Sequence, residues 1–221
     1  MKTAAIVPMK LNNERLPNKN TKKFANGKPL CSYILNTLLK VKNIDEIYVY
    51  CSDEKIKSYL PDNIKFIKRS SELDKNSTTM NEILKAFIND VDADVYVLTH
   101  ATAPFVKSTS LEKCIEIVNG DNEYDSAFSV KRVSEFLWKD NKPFNYQLDN
   151  IPRTQDLPPI YAETCGFYVF KKELMNLYNR RIGDKPYMYE VEILETIDID
   201  DEFDFEIANS LLGRYEESIY E

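Results

Sequence analysis

The chain has neither a G-x-G-x-x-G nor a Walker A pattern, so both common glycine-rich cradles for phosphate are missing. No apolar run approaches the ~20 residues of a membrane span. The few apolar residues between Lys2 and Lys10 also fall short of a signal-peptide core of roughly 7 to 15 residues. This predicts a soluble, unprocessed chain with no membrane partner. Cysteine occurs four times but never as C-x-x-C. Cys31, Cys51 and Cys165 stand in apolar or strand-like contexts, where a thiol behaves as a small hydrophobe, and a reduced, cytoplasmic protein is expected. The single histidine, His100, has no serine or cysteine spaced to serve as its nucleophile. Basic residues are outnumbered 29 to 36, giving a net charge of −7. That balance argues against a nucleic-acid surface and confines any phosphate chemistry to a pocket.

What is present suits one α/β domain over residues 1–221, with 43% apolar residues to form its core. TAAIVP reads as a buried strand, and the loop MKLNNERLPNKN (9–20) leaves its carboxyl end, where open α/β sheets bind ligands. Leu30, Ile34, Leu35 and Leu38 follow at helical spacing. Residues 45–53 read as a strand, DEKIKSYL as a short helix closed by Pro61, and 63–70 as a strand. A Thr-capped helix over 78–91 with one face of Met80, Ile83, Leu84 and Phe87 precedes an apolar strand in 93–105. This alternation predicts a mostly parallel sheet with helices on both faces. A helix over 110–120 and a strand over 124–133 come next. Residues 134–161, with four prolines and no sustained period, read as an irregular excursion that could serve as a dimer arm or lid. Beyond it, 162–178 reads as a strand running into a helix, and 193–212 as a short strand, an acidic turn and a final helix.

Three constellations could carry chemistry. In the opening loop, Lys10, Arg15 and Lys19 can surround one point while asparagines shape the turn, which suits a polyphosphate; a solvated surface loop is the alternative. In IDIDDEFD, Asp198 and Asp200 alternate, so an extended backbone turns both carboxylates to one side, where they could meet a hard cation such as magnesium. Acidic residues at that point can equally cap the following helix, with Asp200 or Asp201 in that role. In LTHATAPF, His100 ends the most apolar strand, either as a hydrogen-bonded structural residue or as part of a pocket.

IVPMKLNNERLPNKN, then NGKPL, VYCSD, KRSSEL, THATAPF and DIDDEFD, in that order and spacing, resemble the acylneuraminate cytidylyltransferase family, which makes CMP-activated sugar acids. The resemblance spans nearly the whole chain. It implies a three-layer, Rossmann-like nucleotidyltransferase fold, a homodimer, magnesium as cofactor, and a role in surface polysaccharide biosynthesis. The implied reaction is attack of a nonulosonic acid's anomeric hydroxyl on the α-phosphorus of CTP, with release of pyrophosphate. Lys10 stands in place of the usual loop arginine, and Lys19 and Asn20 fall in the L-P-x-K-N signature from Leu16. With Met9, Arg15, Arg69 and Thr78 they become nucleotide ligands. Lys10, Lys19 and Asp200 become the catalytic set, and Asp198 and Asp200 the magnesium ligands.

Three departures concern the acceptor and the loop. His100 to Pro104 replace Q-P-T-S-P, and Ala162 to Cys165 replace an arginine-x-asparagine-glycine stretch, leaving Glu163 where a cation would meet a sugar carboxylate. Glu14 stands where a lysine is common. A cation lost from beside a carboxylate about 4 Å away is worth ~1 kcal/mol in water and ~4 at an effective dielectric of 20, enough to exchange substrates. His100, Thr102 and Glu163 are therefore the expected acceptor contacts, with Lys139 and Arg153 as replacement cations. Little activity on N-acetylneuraminate itself is expected. The alternatives are an acceptor of another class (a phosphonate, a phosphorylated small molecule or a 3-deoxy-octulosonic acid) and a nucleotide-binding protein without turnover.

Overall fold

Alternation along the first strand decides the layers. A computed structural model of the chain describes residues 1–120 and 123–219, with side chains to residue 214. In strand β1 (Thr3–Met9), Ala5 and Val7 point to one face of the sheet and Ala4 and Ile6 to the other, all fully buried. Both faces must therefore be covered. Helix α1 (Leu30–Lys40) follows, then β2 (Glu46–Cys51), β3 (Lys65–Lys68), α2 (Met80–Asp90), β4 (Val95–Thr99) and α3 (Ser108–Asn119). Ile34, Leu35 and Leu38 of α1 and Leu111, Ile115 and Val118 of α3 cover the Ala5/Val7 face. On the opposite face, Ile83, Leu84 and Phe87 of α2 pack against Ala4, Ile6, Tyr50 and Tyr96. Thr79 and Glu82 start α2 with a reciprocal capping box, as the threonines there predict.

The chain continues through β5 (Ser126–Val133), the two-residue strands β6 (Trp138–Lys139) and β7 (Lys142–Pro143), β8 (Ile160–Lys171), α4 (Lys172–Tyr178), β9 (Pro186–Glu190) and α5 (Glu202–Ile219). The main sheet has the order β3-β2-β1-β4-β8-β5-β9, and within it only β8 runs antiparallel to its neighbours. Because β1 pairs in parallel with both β2 and β4, the strand order reverses between β1 and β4. The crevice at the carboxyl ends of those two strands is where such sheets take ligands. The three-layer, mostly parallel α/β fold expected from the sequence is the one observed.

Several local readings are corrected. The short helix after β2 is a 3-10 segment, Glu54–Tyr59. Ile193–Thr196 is likewise a 3-10 turn and not a strand; the strand in that region is β9, seven residues earlier in its start. Its polar and exposed positions hide the strand signal. Among the cysteines, Cys31, Cys51 and Cys114 are buried whereas Cys165 is exposed, so the apolar reading of Cys165 is wrong. The cause is a bulge. Between Phe128 paired with Tyr168 and Val130 paired with Glu163, β8 spends more residues than β5, and Cys165 takes a left-handed φ of 57°. Of the expected excursion 134–161, residues 160–161 belong to β8 and Leu157 is buried, while the remainder carries the β6–β7 hairpin and exposes Phe136, Trp138, Phe144, Leu148 and Ile151.

Candidate active site

A third apolar cluster joins two segments far apart in sequence. Leu16 from the opening loop and Ile199 from the acidic turn are both buried with Phe24, Tyr33, Phe105 and Phe205. Phe24 and Phe205 stack at 4.4 Å between centroids, and Lys22 pairs with Glu202 beside them. Complete burial of Ile199 contributes about 1.5–3 kcal/mol toward holding the turn. Its backbone is clamped on both sides: the Ile199 N–H donates to the Thr102 carbonyl at 2.8 Å, and Lys19 Nζ donates to the Ile199 carbonyl at 2.8 Å. With Ile199 pointing inward, Asp198 and Asp200 both face the crevice, where they line one cavity of about 340 Å³.

The capping alternative now resolves. The Asp201 carboxylate accepts the Asp204 N–H at 3.1 Å, and Asp204 Oδ2 accepts from the N–H groups of Asp200 and Asp201. Those two residues close the start of α5, which leaves the side chains of Asp198 and Asp200 for the crevice. Asp198 Oδ1 is buried with no hydrogen-bond partner. Burial, with Asp200 and Asp204 as like charges, raises the Asp198 pKa, while a hydrogen bond from Thr102 acts against that rise. No group of three or more His, Cys, Asp or Glu converges anywhere among the described residues. Two carboxylates facing one point, one with an unpartnered buried oxygen, fit an ion that draws its other ligands from water and phosphate. That is magnesium's habit.

The opening loop forms a second cavity of about 400 Å³, walled by Lys10, Asn13, Glu14, Arg15, Lys19 and Asp200. Arg15 Nη2 lies 3.0 Å and Lys19 Nζ 3.6 Å from Asp200. Asn76 organises the far end, accepting from Lys10 Nζ at 2.9 Å and donating to Glu14 at 2.8 Å. Glu14 therefore fixes the loop through a neutral bridge. Asn20 is buried and donates to the Lys10 carbonyl at 2.8 Å, which sets the backbone of the loop.

A smaller cavity of about 230 Å³ opens beside it, lined by Met9, Lys10, Arg69, Asp74, Thr78 and Met80 among others. Arg69 is 5% exposed and its Nη2 meets Asp74 at 2.8 Å, while Nε and Nη1 are buried without partners. Lys10 lines all three cavities, and Asn13, Lys19 and Asp200 line the loop cavity and the one holding Asp198. The three residues expected to act on the reacting phosphate thus stand where two cavities meet.

The acceptor predictions divide. His100 and Thr102 line the cavity with Asp198. The imidazole pKa is lowered to about 4 by burial, then by the positive charges of Arg181 and Lys19, so His100 is neutral near pH 7. Glu163 is exposed, and its Oε2 accepts from the Tyr168 hydroxyl at 2.7 Å. It supports Tyr168, which lines the cavity; Glu163 is not itself among the lining residues. Lys139 and Arg153 are not brought to the cavity: Lys139 sits in β6 on the excursion, and Arg153 pairs there with Asp156 at 2.7 Å. Sequence reasoning missed Arg181, which does line the cavity. The one available signal was a pair of arginines directly after a helix ending at an Asn.

Comparison with known proteins gives the same direction. Residues 4–220 match a family described as cytidylyltransferase. The chain is 28% identical over 222 residues to N-acylneuraminate cytidylyltransferase A of Danio rerio, covering 96% of this chain and 51% of the relative. It is 26% identical to the CMP-N,N'-diacetyllegionaminic acid synthase of Legionella pneumophila, covering 99% of this chain and 100% of the relative. The chain spans about half the length of the N-acylneuraminate relatives it matches in Danio rerio and Streptococcus agalactiae. Its fold is similar to that of a CMP:2-keto-3-deoxy-manno-octonic acid synthetase solved with CTP, at a TM-score of 0.74 and 15% identity, covering 97% of this chain and 99% of that one.

Proposed function

The chain belongs to the cytidylyltransferase family, and from that premise we propose that it transfers CMP from CTP to an acidic sugar and releases pyrophosphate. The observation that carries this reading is the junction of the loop cavity with the Asp198 cavity at Lys10, Lys19 and Asp200. A triphosphate in the first places its α-phosphorus against an acceptor in the second. The acceptor hydroxyl oxygen then bonds to that phosphorus, the bond to the pyrophosphate oxygen breaks, and the hydroxyl proton is released. Such transfers need positioning and charge neutralisation more than covalent help. Lys10, Arg15 and Lys19 neutralise phosphate charge. Asp198 and Asp200 would hold a magnesium ion, which supplies further neutralisation on the phosphates.

Arg69 supports cytosine as the base. Its unpartnered Nε and Nη1 are donors in a cavity that also holds Met9 and Thr78. Cytosine offers acceptors at both O2 and N3, whereas uracil carries a hydrogen at N3 and would leave one donor unmet. The exposed apolar residues of the excursion, Trp138 and Phe144 among them, suit contact with a second copy of the chain. The altered acceptor side disfavours N-acetylneuraminate. The test is pyrophosphate release from CTP and from UTP with magnesium and a panel of N-acetylneuraminate, N,N'-diacetyllegionaminate and 3-deoxy-manno-octulosonate. Turnover with CTP and an acidic sugar other than N-acetylneuraminate is expected. No release with any member of the panel contradicts the reading.

A further inference from the structure

The acceptor cavity contains a cation that no part of the phosphate machinery uses. Arg181 sits in the short segment between α4 and β9, and that segment is fixed from both ends. Asn179 closes α4 in the left-handed conformation, at φ 51°. Beyond the arginine, Asp125 Oδ2 accepts from the N–H groups of Asp184 and Lys185 at 2.9 and 3.0 Å, and Gly183 N–H donates to Ser126 Oγ at 2.9 Å. A Cβ at Gly183 would lie 2.2 Å from the Asp125 carboxylate, so only glycine permits this approach.

The side chain is equally constrained. The guanidinium carbon lies 4.3 Å above the centre of the Tyr168 ring, a stacked cation–π geometry. Nη1 donates to Asn81 Oδ1 at 3.1 Å, and Asn81 in turn donates to the Asn179 carbonyl at 2.9 Å. Nε is buried without a partner. Arg180 next door pairs with Asp184, but Arg181 forms no ion pair among the described residues. A guanidinium that is part-buried, oriented by two groups and left without a counter-ion among the described residues is built to receive an anion from outside.

We propose that Arg181 binds the carboxylate of the acceptor, a role that rests on the acidic-sugar reading of the site given above. The triphosphate has its own cations: Arg15 and Lys10 line the loop cavity, and Arg181 does not. The Asp198 cavity contains Arg181 together with His100, Thr102 and Cys165, and its two other cations, Lys10 and Lys19, are those it shares with the loop cavity. The neutral His100 offers no charge there, and Ala162 to Cys165 contain no cation. Glu163 is exposed and lies outside the lining of the cavity, with its Oε2 accepting from the Tyr168 hydroxyl. Arg181 therefore fills, from a different segment of the chain, the place in the charge pattern that the Ala162–Cys165 stretch leaves empty. The fork of a guanidinium matches the two oxygens of a carboxylate in a way that an uncharged amide of the same sugar does not.

The test is steady-state pyrophosphate release by the full chain with magnesium, saturating CTP, and whichever acidic sugar of the panel the wild type uses, alongside its C1 carboxamide. Arg181→Gln is expected to raise the acceptor KM roughly 10- to 100-fold, leave the CTP KM within about twofold, and abolish the preference for acid over amide. Arg181→Lys keeps the stem and the charge without the fork. It is expected to show a several-fold rise in acceptor KM, and it serves if Arg181→Gln fails to bind CTP by calorimetry. A wild type that turns over the acid while both variants keep its acceptor KM and its preference for the acid overturns the role of Arg181 alone. A wild type that uses no acidic sugar overturns the proposed function and this role together.

Discussion

On the phosphate side of the crevice the cations already have partners within the protein: Arg15 and Lys19 meet Asp200, and Lys10 meets Asn76. On the acceptor side, Arg181 is held by an aromatic ring and an amide and has no counter-ion among the described residues. The first arrangement keeps a charged, glycine-free loop in shape before a ligand arrives, and its exposed pairs, worth ~0–1 kcal/mol each, exchange readily for phosphate oxygens. The second leaves an unmet charge whose desolvation is repaid by an anion of suitable shape. One side is thus suited to a ligand of high charge, and the other to discrimination among acceptors.

Substitutions can break or sharpen this contrast. The largest effect is expected from Asp200→Asn, which removes a carboxylate at the junction of the two cavities. Turnover should fall about 10³-fold, as the several kcal/mol of metal-assisted charge stabilisation disappear, with CTP binding retained by calorimetry. Next, Arg69→Met leaves Asp74 in a largely buried site without its cationic partner, with only the Ser52 hydroxyl still donating to the carboxylate. It should cost about 3–5 kcal/mol in urea unfolding, and pairing it with Asp74→Leu should recover much of that loss. An unchanged stability would show that this pair serves ligand binding only.

His100 probes the acceptor side through pH. Its pKa falls from 6.5 unfolded to about 4 in the folded chain, so the native state excludes a proton that the unfolded chain accepts. Its contribution to stability is complete above pH 6.5, declines as pH falls toward 4, and changes no further below that. His100→Asn should remove a slope amounting to on the order of 3 kcal/mol across that interval, seen as the difference between the two pH–stability curves. The smallest effect is expected from Asn76→Ala. Releasing Lys10 and Glu14 loses about 1 kcal/mol of hydrogen bonding. The CTP KM should rise several-fold while the acceptor KM stays constant, and a shift in acceptor KM would blur the division between the two sides.

How much of this was legible depends on the span of chain that carries each feature. Residues 9–20 and the Asp198/Asp200 alternation are each contiguous, so local spacing singled out Lys10 with Lys19 and the two aspartates with each other, whereas their meeting in one site followed only from the family resemblance. The alternation worked because Ile199, between the aspartates, is a core residue whose burial turns its neighbours outward. The layered fold was legible for the same reason: its strands and helices declare their faces by period. The acceptor side draws on the end of β4, the bulge in β8, the start of α2 and the turn after α4, and no local pattern links those segments. Lys139 and Arg153 were nominated as nearby cations, whereas the tertiary fold keeps them on the excursion and delivers Arg181 instead. The strand β9 escaped notice because its residues are largely half-exposed and lack an apolar alternation.

In the proposed reaction the acceptor oxygen meets the α-phosphorus of CTP at the Lys10–Lys19–Asp200 junction. This is tested most directly by supplying an acidic sugar with oxygen-18 in its anomeric hydroxyl, together with CTP and magnesium, and determining the masses of the products. A CMP-sugar conjugate that retains the label and pyrophosphate that carries none are expected. Labelled pyrophosphate, or CTP turnover that yields no CMP conjugate with any acidic sugar, would contradict the proposed reaction.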